Sequence, residues 1–72
     1  MKMDKNRWLE RITFDSRIMA GKPVIRGMRL PVAMILRLLG LGATSEEILN
    51  EYQGLKIEDI QACLMFAYKS LE

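Results

Sequence analysis

Both prolines of the chain, and two of its five glycines, fall between Gly21 and Val32, in the run Gly-Lys-Pro-Val-Ile-Arg-Gly-Met-Arg-Leu-Pro-Val. Glycine opens backbone regions that other residues avoid, and proline fixes φ near −65° while removing a hydrogen-bond donor. Backbone specified this densely describes a shaped loop that orients its flanks rather than a slack linker. Before it the chain is basic and poor in helix signals; after it the pattern is helix upon helix.

A chain of 72 residues makes one small domain, which buries only roughly 60% of its unfolded surface. The single cysteine, Cys63, excludes an internal disulfide, and with no histidine a zinc site of the usual kind is excluded too. Self-association is the remaining source of extra core, and a hydrophobic content of 50% suits it. Met1 to Arg11 is charged throughout and lacks the apolar centre of a secretory signal. The apolar run from Leu30 to Leu41, interrupted by Arg37, is far short of a membrane span. These features predict a soluble, cytoplasmic homodimer with no membrane contact.

Charge is unevenly placed. Residues 1–31 carry eight basic and three acidic side chains, a balance of +5, and residues 32–72 carry three basic and six acidic, a balance of −3. Two different binding faces are expected from such asymmetry.

In chain order, residues 1–10 read as a flexible N-terminus and 11–72 as one domain, with Arg7 to Arg11 able to start a helical turn that brings Trp8 and Leu9 to the core. Arg11-Ile12-Thr13-Phe14-Asp15 alternates as a half-buried strand, and Arg29-Leu30-Pro31 is its expected partner. Pro31 restricts that partner to an edge. Val32 to Leu41 reads as a helix with almost no polar side, which a buried position or a second subunit would explain. Gly40 and Gly42 end it, one of them as the left-handed cap. Thr44-Ser45-Glu46-Glu47 is a capping-box pattern opening a helix to about Gln53. Gly54 breaks that helix. Ile57 to Leu71 is the third and longest, with Ile57, Ile60, Leu64, Ala67 and Leu71 spaced as its core face. The fold class expected is mainly α: a tri-helical helix-turn-helix core, homeodomain-like or winged-helix-like, with a short N-terminal two-stranded β ribbon.

Enzymatic motifs fail on their chemistry. Gly21-Lys22 lacks the earlier glycine and the following hydroxyl of a phosphate loop, since Ser16 and Pro23 stand there. Cys63 has no histidine to activate it, and its helical neighbours are apolar. The spacing of Asp15, Glu58 and Asp59 imposes no metal geometry, and helix-terminus charge explains the latter two. No catalytic residue, metal or cofactor is expected. On the third helix, Phe66 faces away from the expected core side, flanked by Ala62, Met65 and Lys69. DNA-reading helices present Arg, Lys, Asn or Gln, and here only Lys56 and Gln61 suit that task. A Met-Phe patch rimmed with acid suits a protein partner better.

Ile12 with Asp15, Gly21 to Gly27, Arg29-Leu30-Pro31-Val32, Gly42, Ser45-Glu46-Glu47-Ile48, and Glu58-Asp59-Ile60 with Ala62 and Ala67 resemble the domain of unknown function 433 family from Ile12 to Tyr68. Three positions depart from its usual pattern: Ser16 and Gln53, where proline is usual, and Met28, where threonine is usual. The resemblance implies a small helix-turn-helix protein of the VapB-like antitoxin kind, which binds and neutralises a PIN-like nuclease toxin and binds operator DNA. On that reading Lys22, Arg26, Arg29, Lys56 and Gln61 would meet duplex DNA. Arg26, Arg29, Ala62, Met65 and Phe66 would meet the toxin, an arginine fork blocking its carboxylate-lined metal site. The alternatives are a transcriptional regulator without a toxin partner and a structural dimerisation module.

Overall fold

The computed structural model describes residues 7–17 and 19–72. Of the expected flexible N-terminus, residues 1–6 lie outside that range, and Arg7–Arg11 form a 3-10 turn packed on the last helix. Trp8 joins the core from this turn, as its sequence suggests, whereas Leu9 stays half exposed.

The rest of the chain forms a small antiparallel sheet and three helices. Strand β1 is Ile12–Phe14, β2 is Pro23–Ile25 and β3 is Leu30–Pro31, in the order β1-β2-β3. Ile12 is registered with Ile25, Phe14 with Pro23, and Ile25 with Leu30. The two-stranded ribbon is therefore corrected to three strands: Pro23–Ile25, within the stretch taken for a loop, separates the two expected partners. Three residues are too few for an alternation to show. Pro23 tolerates the central strand because it is the first residue in it. Pro31 lies at the edge, as its missing donor requires, and the chain passes from it directly into helix α1, Val32–Gly40.

Local signals explain the helix ends. Gly42, at φ +100°, donates its N–H to Leu39 C=O at 3.0 Å, and Ala43 N–H reaches Leu38 C=O at 3.0 Å. That is the left-handed closure expected of one of the two glycines. Thr44 Oγ1 accepts from Glu47 N–H at 3.1 Å while Glu47 Oε1 accepts from Thr44 N–H at 2.8 Å, completing the capping box of α2, Ser45–Glu51. Helix α3, Ile57–Ser70, follows.

Ile12, Ile25, Leu30, Val32, Ile35, Ile48 and Ile60 meet in one core. Much of α1 is covered within the same chain, by the sheet, α2 and α3. The buried side of α3 differs from the expected one. It consists of Asp59, Ile60, Ala62 and Cys63, while Ile57, Leu64 and Leu71 are exposed. Small Ala62 and Cys63 allow close approach of the neighbouring elements, and an ion pair anchors Asp59. Counting large apolar residues points instead to the wrong stripe.

No helix among the described residues is long and apolar enough to cross a membrane.

Candidate partner-binding surface

The turn Arg26–Arg29 joins β2 to β3, and its shape follows from backbone bonds. Arg26 N–H donates to Arg11 C=O at 2.8 Å, extending the β1–β2 ladder by one rung, and Met28 N–H closes back on Ile25 C=O at 3.1 Å. Gly27 lies at φ +82°, where glycine is at ease. Arg29 lies at φ +54°, in a left-handed conformation that side chains other than glycine rarely adopt.

The two arginines of the turn differ in freedom. Arg26 Nε donates to Glu10 C=O at 2.6 Å, fixing the side chain against the 3-10 turn while its guanidinium stays exposed. Arg29 is exposed, and its charge helps to hold the Asp15 carboxyl below its ordinary range. The larger cause of that lowering is Arg17, whose Nε and Nη2 grip both Asp15 oxygens at 3.1 and 3.0 Å and whose N–H adds a third bond.

A relay of hydrogen bonds brings the turn and the start of α3 to one end of the molecule. Arg26 bonds to the Arg11 backbone, Arg11 Nη1 meets Asp59 Oδ1 at 3.0 Å, and Asp59 Oδ2 accepts the Lys56 N–H at 2.9 Å. Of the residues expected at DNA, Arg26 and Lys56 therefore share this end. Gln61 is exposed one turn further along α3, and Lys22 sits beyond the opposite end of β2. Glu58 is also exposed at the start of α3, placing acid beside any phosphate this end would meet.

Among residues expected at a protein partner, Ala62 is corrected. It is wholly enclosed and has no surface to offer. Phe66 is half buried, stacked edge-on to Trp8 with centroids 6.4 Å apart and tilted on Phe14 at 5.9 Å. Met65 beside it is also half buried. The outward aromatic of the cluster is Phe14, 60% exposed, which the alternation of β1 places with buried Ile12. Nothing in the strand pattern separates the two; Phe14 is the last residue of β1, opposite Pro23.

Cys63 is buried, and enclosure together with the nearby Asp59 charge pushes its thiol up to about 12. A thiol in that state is a packing group. Among the described residues no three His, Cys, Asp or Glu side chains come close enough to hold a metal. Asp15 and Asp59 are each engaged by an arginine.

Comparison with known proteins follows the same residues. The profile of the family described as "Protein of unknown function (DUF433)" matches residues 12–67. The chain belongs to the DUF433 family. An uncharacterized protein of Archaeoglobus fulgidus is 48% identical over 33 residues, covering 46% of this chain and 92% of that protein. The crystal structure of a DUF433 member from Anabaena variabilis superimposes with a TM-score of 0.78 at 29% identity, over 82% of this chain. This chain spans 58% of that longer one. The DUF433 match begins at Ile12, so the 3-10 turn that carries Trp8 and tethers Arg26 precedes it.

Proposed function

We propose that this DUF433 chain is an antitoxin-type binding module, without catalytic activity of its own, that docks on a PIN-like nuclease in the cytoplasm. Arg29 carries the reading. An exposed arginine is held at φ +54° in a turn where glycine would be easier, and backbone strain of this kind concentrates at binding and catalytic positions. The turn is fixed by the sheet on both sides, so little conformational entropy remains to be lost on docking. A planar guanidinium pairs with carboxylates through two bonds and keeps its charge, which suits a site built of metal-holding acids. Arg26, tethered at Glu10, supplies a second charge, and Phe14 with Met65 supplies apolar area.

A second reading, a DNA-binding regulator with a helix-turn-helix formed by α2 and α3, draws support from exposed Lys56 and Gln61 beside Arg26. Exposed Glu58 between them weighs against it.

The test is to look in the reading frame adjacent to this gene for a PIN-like nuclease and to measure its inhibition by the full chain and by its Arg29→Lys and Arg26→Lys variants. Arg29→Lys should weaken inhibition by at least about tenfold, the loss expected when a two-bond pair becomes a point charge. Full inhibition by both variants would refute the arginine mechanism. Sequence-selective duplex binding lost in Lys56→Ala and Gln61→Ala, with no effect on any nuclease, would establish the second reading.

A further inference from the structure

The left-handed Gly42 that closes α1 turns the chain back into α2 and leaves a cleft of about 480 Å³ in the corner between them. Leu38, Leu41, Ile48 and Tyr52 supply its apolar lining, and the charged residues that line it, Glu47 and Glu51, are both acidic. Ile48 belongs to the core, whereas Leu41 is 69% exposed. The cleft is open to solvent rather than enclosed.

Glu51 does not serve the helix it stands on. It is the last residue of α2, at the negative end of the helix dipole, and that last turn holds no basic residue. It also follows Glu47 by four positions, the spacing at which like charges on a helix repel. Among the described residues neither carboxylate has an ion-pair partner. Glu47 has a local duty, because its Oε1 accepts the Thr44 N–H and caps α2, which leaves Oε2 for another donor. Glu51 has no such duty. A charge set against its own helix and beside an apolar cleft is a local conflict of the kind kept at functional sites.

We infer that this cleft receives an arginine side chain of a partner protein, carried next to an aliphatic residue. Charge complementarity selects the cation, since both carboxylates and the negative end of α2 attract it. Two acids one helical turn apart suit the planar guanidinium fork, which donates to more than one acceptor at once. Tyr52 adds a ring on which a guanidinium stacks and an ammonium does not. The aliphatic stem and its neighbour take the apolar lining from water. Because the cleft is open, the arginine is best presented by a larger surface that also covers Leu41; a free small molecule would need more enclosure. None of the lining residues belongs to the arginine turn, so the inference stands independently of the nuclease reading.

Amide NMR of the full chain, titrated with the blocked tripeptide acetyl-Leu-Arg-Leu-amide, tests the assignment. Shifts should centre on Gly42, Ala43, Glu51 and Tyr52, with a dissociation constant of about 1 mM, ordinary for so small a ligand. Citrulline in place of the arginine keeps its shape and removes its charge, and should weaken binding at least about tenfold. Glu51→Gln should do the same. Acetyl-arginine-amide, which lacks the aliphatic neighbours, should bind about fivefold more weakly. In the free chain, Glu51→Lys should raise the thermal midpoint by about 2–4 °C, since it ends the repulsion and complements the dipole. Cleft amides that do not shift at about 10 mM tripeptide would overturn the inference. So would a citrulline peptide or acetyl-arginine-amide that binds as well as the tripeptide, a Glu51→Gln variant with unchanged affinity, or a midpoint lowered by Glu51→Lys.

Discussion

Arg11 and Asp59, 48 positions apart in sequence, form an ion pair at 3.0 Å that ties the start of the sheet to the first turn of α3. The pair is unequal in burial, Asp59 being almost enclosed and Arg11 about a third exposed. Asp59 also accepts the Lys56 N–H, so one carboxylate closes the helix terminus and fixes the helix against the sheet. Through the Arg11 carbonyl the same pair reaches Arg26 and the turn that presents Arg29.

Removing that carboxylate should cost more than a surface pair would. Asp59→Ala is expected to destabilise by about 2–3 kcal/mol, since it breaks a mostly buried pair and leaves the Lys56 N–H without its acceptor. Arg11→Met leaves Asp59 buried beside a lost partner and should cost about 1–3 kcal/mol. In urea denaturation the double variant should lose less than the sum, with a coupling of about 1 kcal/mol. Additive losses would show that the pair contributes nothing beyond its separate parts.

Strain at Arg29 has a stability consequence of the opposite sign. Arg29→Gly relieves a left-handed side-chain conformation but gives the unfolded chain more freedom, and the net expected gain is about 0.5–1 kcal/mol. Gly27→Ala, at φ +82° with open space around a new Cβ, should lose about 1 kcal/mol through backbone strain alone. Thermal midpoints of the two variants should therefore move in opposite directions. If Arg29→Gly also loses nuclease inhibition, the strained residue is retained for binding rather than for folding.

Acid should loosen α2 from its N-terminus. The Glu47 carboxyl is held below its ordinary value of 4.5, first by the Thr44 backbone N–H and then by the Thr44 side chain. A depressed folded value means the contribution is complete above about 4.5 and is lost as pH falls through the lower folded value. The difference in thermal midpoint between wild type and Glu47→Ala should be constant near neutrality and shrink as pH drops below that window. A difference that persists undiminished in strong acid would mean that Glu47 acts through packing rather than its charge. Glu47 is fully exposed, so the effect will be modest and will weaken further with salt.

What the sequence determined alone is what neighbouring residues settle between themselves. The Thr44–Glu47 box, the left-handed Gly42 and Gly54, the start of α3 after Lys56 and the edge position of Pro31 each depend on bonds or sterics within a few residues. The family pattern of the loop is legible for the same reason, because its glycines and prolines act where they stand. Tertiary structure decided the remainder. Pro23–Ile25 is a strand because Ile12 and Leu30 flank Ile25 on either side, and no three-residue segment announces two partners. The buried side of α3 was not legible either. Its row of large apolar residues outweighs Ala62 and Cys63 in any count, yet close packing favours the small pair, and Arg11 holds Asp59 against the sheet from 48 positions away. A helix carries its periodicity in its own sequence, but which of two apolar faces turns inward is fixed only when a distant partner binds one of them.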